Sequence, residues 1–258
     1  MIELPSEKTL TLPDNIDLQV LLIPSGEFLC GFENIRTNLN DFYIGKYPIT
    51  VEQYRMFIDS DGYQIKKYWT EAGWYWCQEY NVSSADDMRL DECFRQTGYP
   101  QVGVSWYEAV AFCNWLSDYL GGNVTLPNEM EWEKSARGID GRKYPWGAVP
   151  PTDIHCNFNL RIDHTTKSGI YPAGKSIYGC HDMAGNVWEW CKNTPGALPY
   201  DNIEDRENYA YRDARVIKGG CWDSQRQEVI SWAQSMNYPN VRLNTIGFRV
   251  KVSNEKSN

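Results

Sequence analysis

Histidine is scarce in this chain: three in 258 residues, His155, His164 and His181. That leaves little material for a metal or acid–base centre built from imidazoles. Eight cysteines are present, at 30, 77, 93, 113, 156, 180, 191 and 221, but none stands in Cys-x-x-Cys spacing. The dipeptides His155-Cys156 and Cys180-His181 fit no zinc pattern, because adjacent residues seldom reach one ion, so isolated surface histidines are expected. Lysine and arginine form no cluster, and 25 of them against 34 acids give a net charge of -9. A phosphate backbone calls for a concentrated basic face, so nucleic acid is excluded as a partner class. No run approaches the roughly 18 apolar residues that span a bilayer, so no membrane insertion is expected. The start, MIELPSEKTLTLPD, lacks a basic segment followed by an apolar one. A cytoplasmic protein with free thiols is the expectation, with a virion or cell surface as the alternative. Neither a Ser-His-Asp set nor a phosphate-cradling glycine loop stands out.

What the chain does have is aromatic mass and helix-start chemistry. It carries 11 Trp and 17 Tyr, side chains that serve cores and contact surfaces alike. Thr50-Val-Glu-Gln53 and Ser105-Trp-Tyr-Glu108 have capping-box form, and Asn128-Glu-Met-Glu131 is a variant with asparagine as cap. These predict helices near 51–60, 106–120 and 129–136, the second ended by Gly121-Gly122. Strands are predicted at Leu18 to Ile23 with Glu27 to Gly31 as its hairpin partner, and at Phe42 to Lys46, Val216 to Lys218 and Phe248 to Val252. The rest, including 143–147 and 194–213, reads as irregular chain dense in aromatics. With no repeat or linker, one domain over 1–258 is expected.

Eight stretches then occur in order: VLLIPSGEFLCG, FYIGKYPITVEQYRMFI, VGVSWYEAVAFCNWLS, TLPNEMEWEKSARG, KYPWG, YGCHDMAGNVWEW, RVIKGGCW and IGFRV. Together they resemble the formylglycine-generating-enzyme (sulfatase-modifying factor) domain, a branch of the C-type lectin fold, from about Val20 to Val250. The resemblance implies a mixed α+β domain with short strands, about three short helices and much ordered loop. It also implies a structural calcium ion at Asp182, Gly185, Asn186, Val187 and Glu189, a hard-oxygen set suited to that ion, and a second site at Asn157 and Asp163. Within DMAGNVWEW, Trp188 and Trp190 share one face of an extended chain, with Glu189 on the other.

The family's oxidase uses two cysteines five residues apart, just after the Gly-Gly pair. Alignment on Gly219-Gly220 puts Ser224 and Val229 at those positions, and neither forms the thiolate that binds copper. Cys221 falls three residues early and reads as a small buried residue. A second enzymatic branch binds non-haem iron through histidines, usually with an added helical domain. The chain is therefore expected not to be an enzyme. A divergent oxidase using Cys221, or a recognition or regulatory module beside a kinase, protease or defence effector, is the alternative.

The layout also resembles the variable proteins of diversity-generating retroelements, in which the segment before IGFRV is rewritten and forms a ligand-binding face. Between 221 and 245 the charges balance, Asp223 and Glu228 against Arg226 and Arg242. The mixture of Trp, Tyr, Ser, Asn and Gln is close to that of antibody paratopes. The expected face over 221–246 comprises Asp223, Ser224, Gln225, Gln227, Trp232, Gln234, Met236, Asn237, Tyr238, Val241, Leu243 and Asn244, directed at a protein or other surface ligand. Trp232 and Tyr238 are the expected hot spots, and Trp222 is assigned to the core. Adenine-directed change of an AAC codon yields no Trp, Gln or Met, so Gln225, Gln227, Trp232, Gln234 and Met236 would need other template codons.

Overall fold

A computed structural model of the chain describes residues 6–196, 206–208 and 213–253. Helices begin where the capping signals put them. α1 (Val51–Asp59) follows Thr50, whose amide donates to Gln53 Oε1 at 2.9 Å. α2 (Glu71–Glu79) was not anticipated. Thr70 Oγ1 accepts from the Gly73 amide at 3.0 Å, but Gly73 stands where a capping box has Glu or Gln, so the pattern is missing. α3 (Trp106–Leu120) starts at a complete box: Ser105 N donates to Glu108 Oε2 at 2.8 Å, and Glu108 N to Ser105 Oγ at 3.3 Å. It stops at Gly121, which is left-handed with φ 62°. α4 (Glu129–Arg137) carries the asparagine version, both of its bonds 2.9 Å long.

Eleven strands are described: β1 (Glu7–Thr11), β2 (Asp17–Ile23), β3 (Gly26–Cys30), β4 (Ile35–Leu39), β5 (Phe42–Gly45), β6 (Val124–Thr125), β7 (Trp188–Trp190), β8 (Arg215–Lys218), β9 (Gln234–Asn237), β10 (Ile246–Gly247) and β11 (Lys251–Val252). An antiparallel sheet has the order β1-β2-β5-β11-β6, a second sheet runs β10-β7-β8-β9, and β3 and β4 form a hairpin. β3 thus pairs with β4 and not, as expected, with β2. Lys134 Nζ takes the carbonyls of Pro24 and Gly26 at 2.7 and 2.9 Å, which turns the chain out of the sheet after β2. Of the strand expected over 248–252, only 251–252 forms one, as β11. β10 joins one sheet and β11 the other, so the fully buried Phe248, Arg249 and Val250 cross between them. Most of the stretch 194–213 lies outside the described residues.

Aromatic residues fill the space between α1, α3 and the sheets. Tyr54 stacks on Phe112 at 5.5 Å, and Phe112 meets Phe248 edge-on at 5.4 Å. β7 separates two layers. Trp188 and Trp190 pack into this large core, while Glu189 on the opposite face reaches Trp132 of α4. Among the described residues no helix is long and apolar enough to cross a membrane.

Candidate functional site

The segment 221–246 leaves β8 through two glycines for steric reasons. Gly219 (φ 100°) and Gly220 (φ 72°) are both left-handed. A Cβ on Gly220 would lie 2.8 Å from Val229 Cγ1 and 2.9 Å from the Glu228 carbonyl oxygen. The chain then turns tightly: Cys221 N donates to Ser224 Oγ and Ser224 N to the Cys221 carbonyl, each at 3.1 Å. Ser224 is buried in this turn, which removes it from the expected face. Val229 is fully buried among Tyr144, Cys156, Phe158 and Ala184. The two positions of the family's cysteine pair thus hold a turn cap and a core side chain. Cys221 is buried, and its thiol is pushed up to about 12 by burial and by the bond its Sγ donates to Asp223 Oδ1 at 2.8 Å. It is a neutral packing residue at physiological pH.

Of the remaining candidates, Asp223, Gln225, Gln227, Gln234, Met236, Tyr238 and Leu243 are exposed, and Trp232, Asn237, Val241 and Asn244 are half-buried. Met236 and Tyr238 stand out at 59% and 64% exposure. β9 carries Gln234–Asn237 along the free edge of its sheet. Trp232 lies on the guanidinium of Arg137, 4.5 Å from its ring centre, with Phe32 at 6.4 Å. Trp222 is half-buried against Phe94, and Leu160 N donates to its carbonyl.

The segment 221–246 contributes to the walls of three cavities that share no lining residue. One of ≈310 Å³ has Phe32, Glu133, Trp232 and Gln234 in its walls. A second of ≈650 Å³ lies between Asp153, Asn159 and Arg161 on one side and Gln225, Arg226 and Gln227 on the other. A third of ≈220 Å³ is formed by Trp76, Tyr80, Tyr107, Pro239 and Asn240. Sequence reasoning missed Phe32, Trp76, Asn159 and Arg161, which come from remote loops and helices and carry no motif. Arg226 was in view only as a counter-charge.

Arg242 fixes the far end of the segment. Its guanidinium binds both oxygens of the fully buried Glu108 and donates to the Ser84 carbonyl at 3.2 Å. Tyr63 OH donates to the same carboxylate. Trp76 flanks the guanidinium, 5.4 Å away. The capping glutamate of α3 is therefore also the anchor of the segment.

Only part of the expected oxygen set fits calcium. Glu189 accepts from Arg249 Nε at 2.6 Å, Arg249 Nη2 at 2.7 Å and Trp132 Nε1 at 2.7 Å, so both its oxygens are taken by protein donors. Asn186 Oδ1 accepts from Thr166 N at 2.8 Å, and its amide donates to the Thr166 carbonyl at 3.1 Å. These two residues are clamps within the fold. Asp182 accepts from Gly169 N at 2.8 Å, and burial raises its carboxyl to about 6. Gly185 is left-handed (φ 73°), and a Cβ there would lie 2.3 Å from the Asn157 carbonyl oxygen. The Gly185 carbonyl accepts from Val187 N at 2.9 Å. Asn157 Oδ1 is buried with no hydrogen-bond partner among the described residues, and Asp163 is exposed. An oxygen open to a cation therefore exists at Asn157 but not at Glu189 or Asn186. The histidines are not isolated surface groups either. His155 stacks on Trp146 at 4.7 Å, His164 meets Phe94 at 6.3 Å and His181 meets Tyr47 at 5.1 Å.

Residues 7–254 match the sulfatase-modifying factor enzyme 1-like domain. The hercynine oxygenase of Mycobacterium tuberculosis is 30% identical over 79% of this chain and 51% of its own length. The chain spans about half the length of the hercynine oxygenases it matches. The formylglycine-generating enzyme of Thermomonospora curvata is 28% identical, with 92% of this chain and 94% of that protein covered. Among solved structures, Treponema denticola variable protein 1 superposes with a TM-score of 0.72 at 20% identity, covering 97% of this chain and all of the other. The enzyme names among the relatives overturn the expectation that the chain is not an enzyme. Ser224 and Val229 remove a thiolate pair from two positions and say nothing of other chemistry. On the match over 7–254 and the fold it shares, the chain belongs to the sulfatase-modifying factor enzyme 1-like domain family.

Proposed function

We propose that the chain recognises a ligand through the surface made by 221–246 and the loops that abut it. The observation that carries this reading is a division of labour within the segment. Its frame is buried: Cys221, Ser224, Val229, Ser231 and Ile246 are each 3% exposed or less. Between the frame positions, large side chains are held outward, and the segment contributes walls to three cavities of ≈220 to ≈650 Å³. A rigid frame presenting aromatic and amide groups suits binding, because little side-chain freedom is lost on contact. The partner class that fits is a protein or other surface ligand. The likeness in fold to a protein named a variable protein supports the same reading.

The test is a screen of the purified protein against peptide and glycan arrays, followed by Met236→Ala and Tyr238→Ala. Both side chains are exposed, so folding is expected to be unchanged. A hot-spot role weakens binding of the selected ligand by roughly thirtyfold or more, the effect of about 2 kcal/mol. Unchanged affinity in both variants would refute the proposal for the β9 part of the face. The relatives named for enzymes favour a second reading, in which the ligand held here is a substrate. Turnover of a captured ligand distinguishes the two.

A further inference from the structure

The cavity of ≈650 Å³ differs in charge from the rest of this acidic chain. Two arginines, Arg161 and Arg226, line it together with Asn159, Gln225 and Gln227. Its acidic lining residue is Asp153, which pairs with Arg161 at 3.2 Å while both side chains are about half exposed (63% and 47%). Such a pair is weak and exchangeable. Arg226 has no ion pair among the described residues. The two acids nearest in sequence are engaged elsewhere: Glu228 accepts from the Gln225 backbone N–H at 2.7 Å, and Asp223 accepts from the Cys221 thiol.

The backbone beneath this cavity is unusual. Asn159 (φ 59°) and Leu160 (φ 55°) are consecutive left-handed residues without a glycine. For leucine that conformation costs about 1–2 kcal/mol, and such strain persists only where the surroundings enforce it. Here the segment enforces it. Asn159 N donates to the Ser224 carbonyl at 3.0 Å and Leu160 N to the Trp222 carbonyl at 2.9 Å. These two bonds fix the Arg161 loop against the Gln225–Gln227 turn, and they leave Leu160 59% exposed. Ile154, one residue from Asp153, is 62% exposed.

We infer that this cavity binds a carboxylate carried beside an apolar group, with Arg161 and Arg226 as the cationic donors and Phe158, in the cavity wall, as the apolar contact. Guanidinium forks match carboxylates in a planar, two-point way. Asp153 shows the chemistry in place, since a carboxylate already rests on Arg161. Two cations against one resting carboxylate suit a monoanion. The carboxylate belongs either to a free organic acid or to the C-terminus of a peptide. The inference rests on the recognition reading above, but it uses a cavity that Met236 and Tyr238 do not line. It can therefore fail while that reading stands, and the reverse.

The experiment titrates the full chain by calorimetry with hexanoate, with hexanamide, with a leucine-terminated peptide as free acid and as amide, and with inorganic phosphate. At least one free acid is expected to bind about tenfold more tightly than its amide, the effect of roughly one charge-assisted contact. Which acid binds more tightly identifies the source. Arg226→Gln is expected to remove that preference, and Asp153→Asn to tighten binding several-fold by freeing Arg161. Ile139→Ala, at an exposed side chain outside the cavity, is expected to leave it unchanged. Near-ultraviolet spectra that match the parent's establish that these exposed substitutions fold. Equal binding of acid and amide, phosphate binding more tightly than either acid, or an Arg226→Gln variant that binds like the parent would each overturn the inference.

Discussion

Arg249→Met is the most informative single perturbation of this structure. The Arg249 guanidinium is buried and makes four hydrogen bonds: two to Glu189 at 2.6 and 2.7 Å, one to the Gly45 carbonyl at 2.8 Å and one to the His181 carbonyl at 2.9 Å. Removing it leaves Glu189, itself only 1% exposed, with Trp132 Nε1 as its one remaining side-chain donor among the described residues. Stranding one member of a buried pair costs about 3–5 kcal/mol. The two orphaned carbonyls add roughly 1 kcal/mol each. A loss of about 5–7 kcal/mol is thus expected, against a total of about 5–15 kcal/mol for a typical domain. The double variant Glu189→Gln/Arg249→Met removes both charges and is expected to recover a large part of that loss. The assay is urea unfolding followed by tryptophan fluorescence, for both single variants and the double, in calcium and again in EDTA. A loss below about 1 kcal/mol for Arg249→Met would refute the reasoning, since no buried pair of this kind breaks so cheaply. A Glu189→Gln loss seen only with calcium present would return Glu189 to the role of a metal ligand.

Thiol chemistry gives a second prediction: of the eight free cysteines only Cys93 is not buried, so a single thiol per native chain is expected to react rapidly with a maleimide, and Cys93→Ser to abolish that phase. Fast labelling of Cys221 would contradict its packing. A third concerns pH. Burial, more than any neighbour, raises the Glu129 carboxyl from 4.5 to about 7. Between those values the folded chain keeps a proton that the unfolded chain has released, so the Glu129 contribution is full below pH 4.5 and lost as pH rises through about 7. Glu129→Gln is expected to flatten stability against pH in that window, and an unaltered slope in urea midpoints would count against it. Fourth, Arg242→Met strands Glu108 in the same way as Arg249→Met strands Glu189, with an expected cost of about 3–5 kcal/mol. Tyr238→Ala is expected to cost less than about 0.5 kcal/mol, as an exposed substitution does. Comparable losses in the two variants would contradict the separation of frame from face.

Local chemistry made much of this fold legible. The three capping sequences name helix starts because the cap and its partner are three residues apart in the chain itself. Gly219-Gly220 marks a turn because the atoms that exclude a Cβ, in Val229 and Glu228, belong to the segment the turn launches. The Trp188/Trp190 alternation followed from strand geometry. What was not legible depended on atoms far away in sequence. β3 looked like the partner of β2 until Lys134, more than 100 residues on, took the carbonyls between them. Glu189 and Asp182 look alike as oxygen donors in a short motif. Only the fold shows that Arg249 and Trp132 fill the first, while the second keeps a single amide donor from Gly169.

The same division separates what the sequence determined from what the tertiary structure decided. The order of the eight motifs settled the family and the mixed α+β class, and the residues at 224 and 229 settled that no thiolate pair stands there. Tertiary structure decided which side chains of 221–246 face outward, and it set parts of that segment into the walls of three cavities. It also buried every residue of α4, charges included, because Lys218, Lys251 and the carbonyls of the β3–β4 hairpin supply partners that no local pattern announces. Periodicity and capping are written within a few residues. The pairing of a buried charge, and the loop that completes a cavity, are set only when distant segments meet.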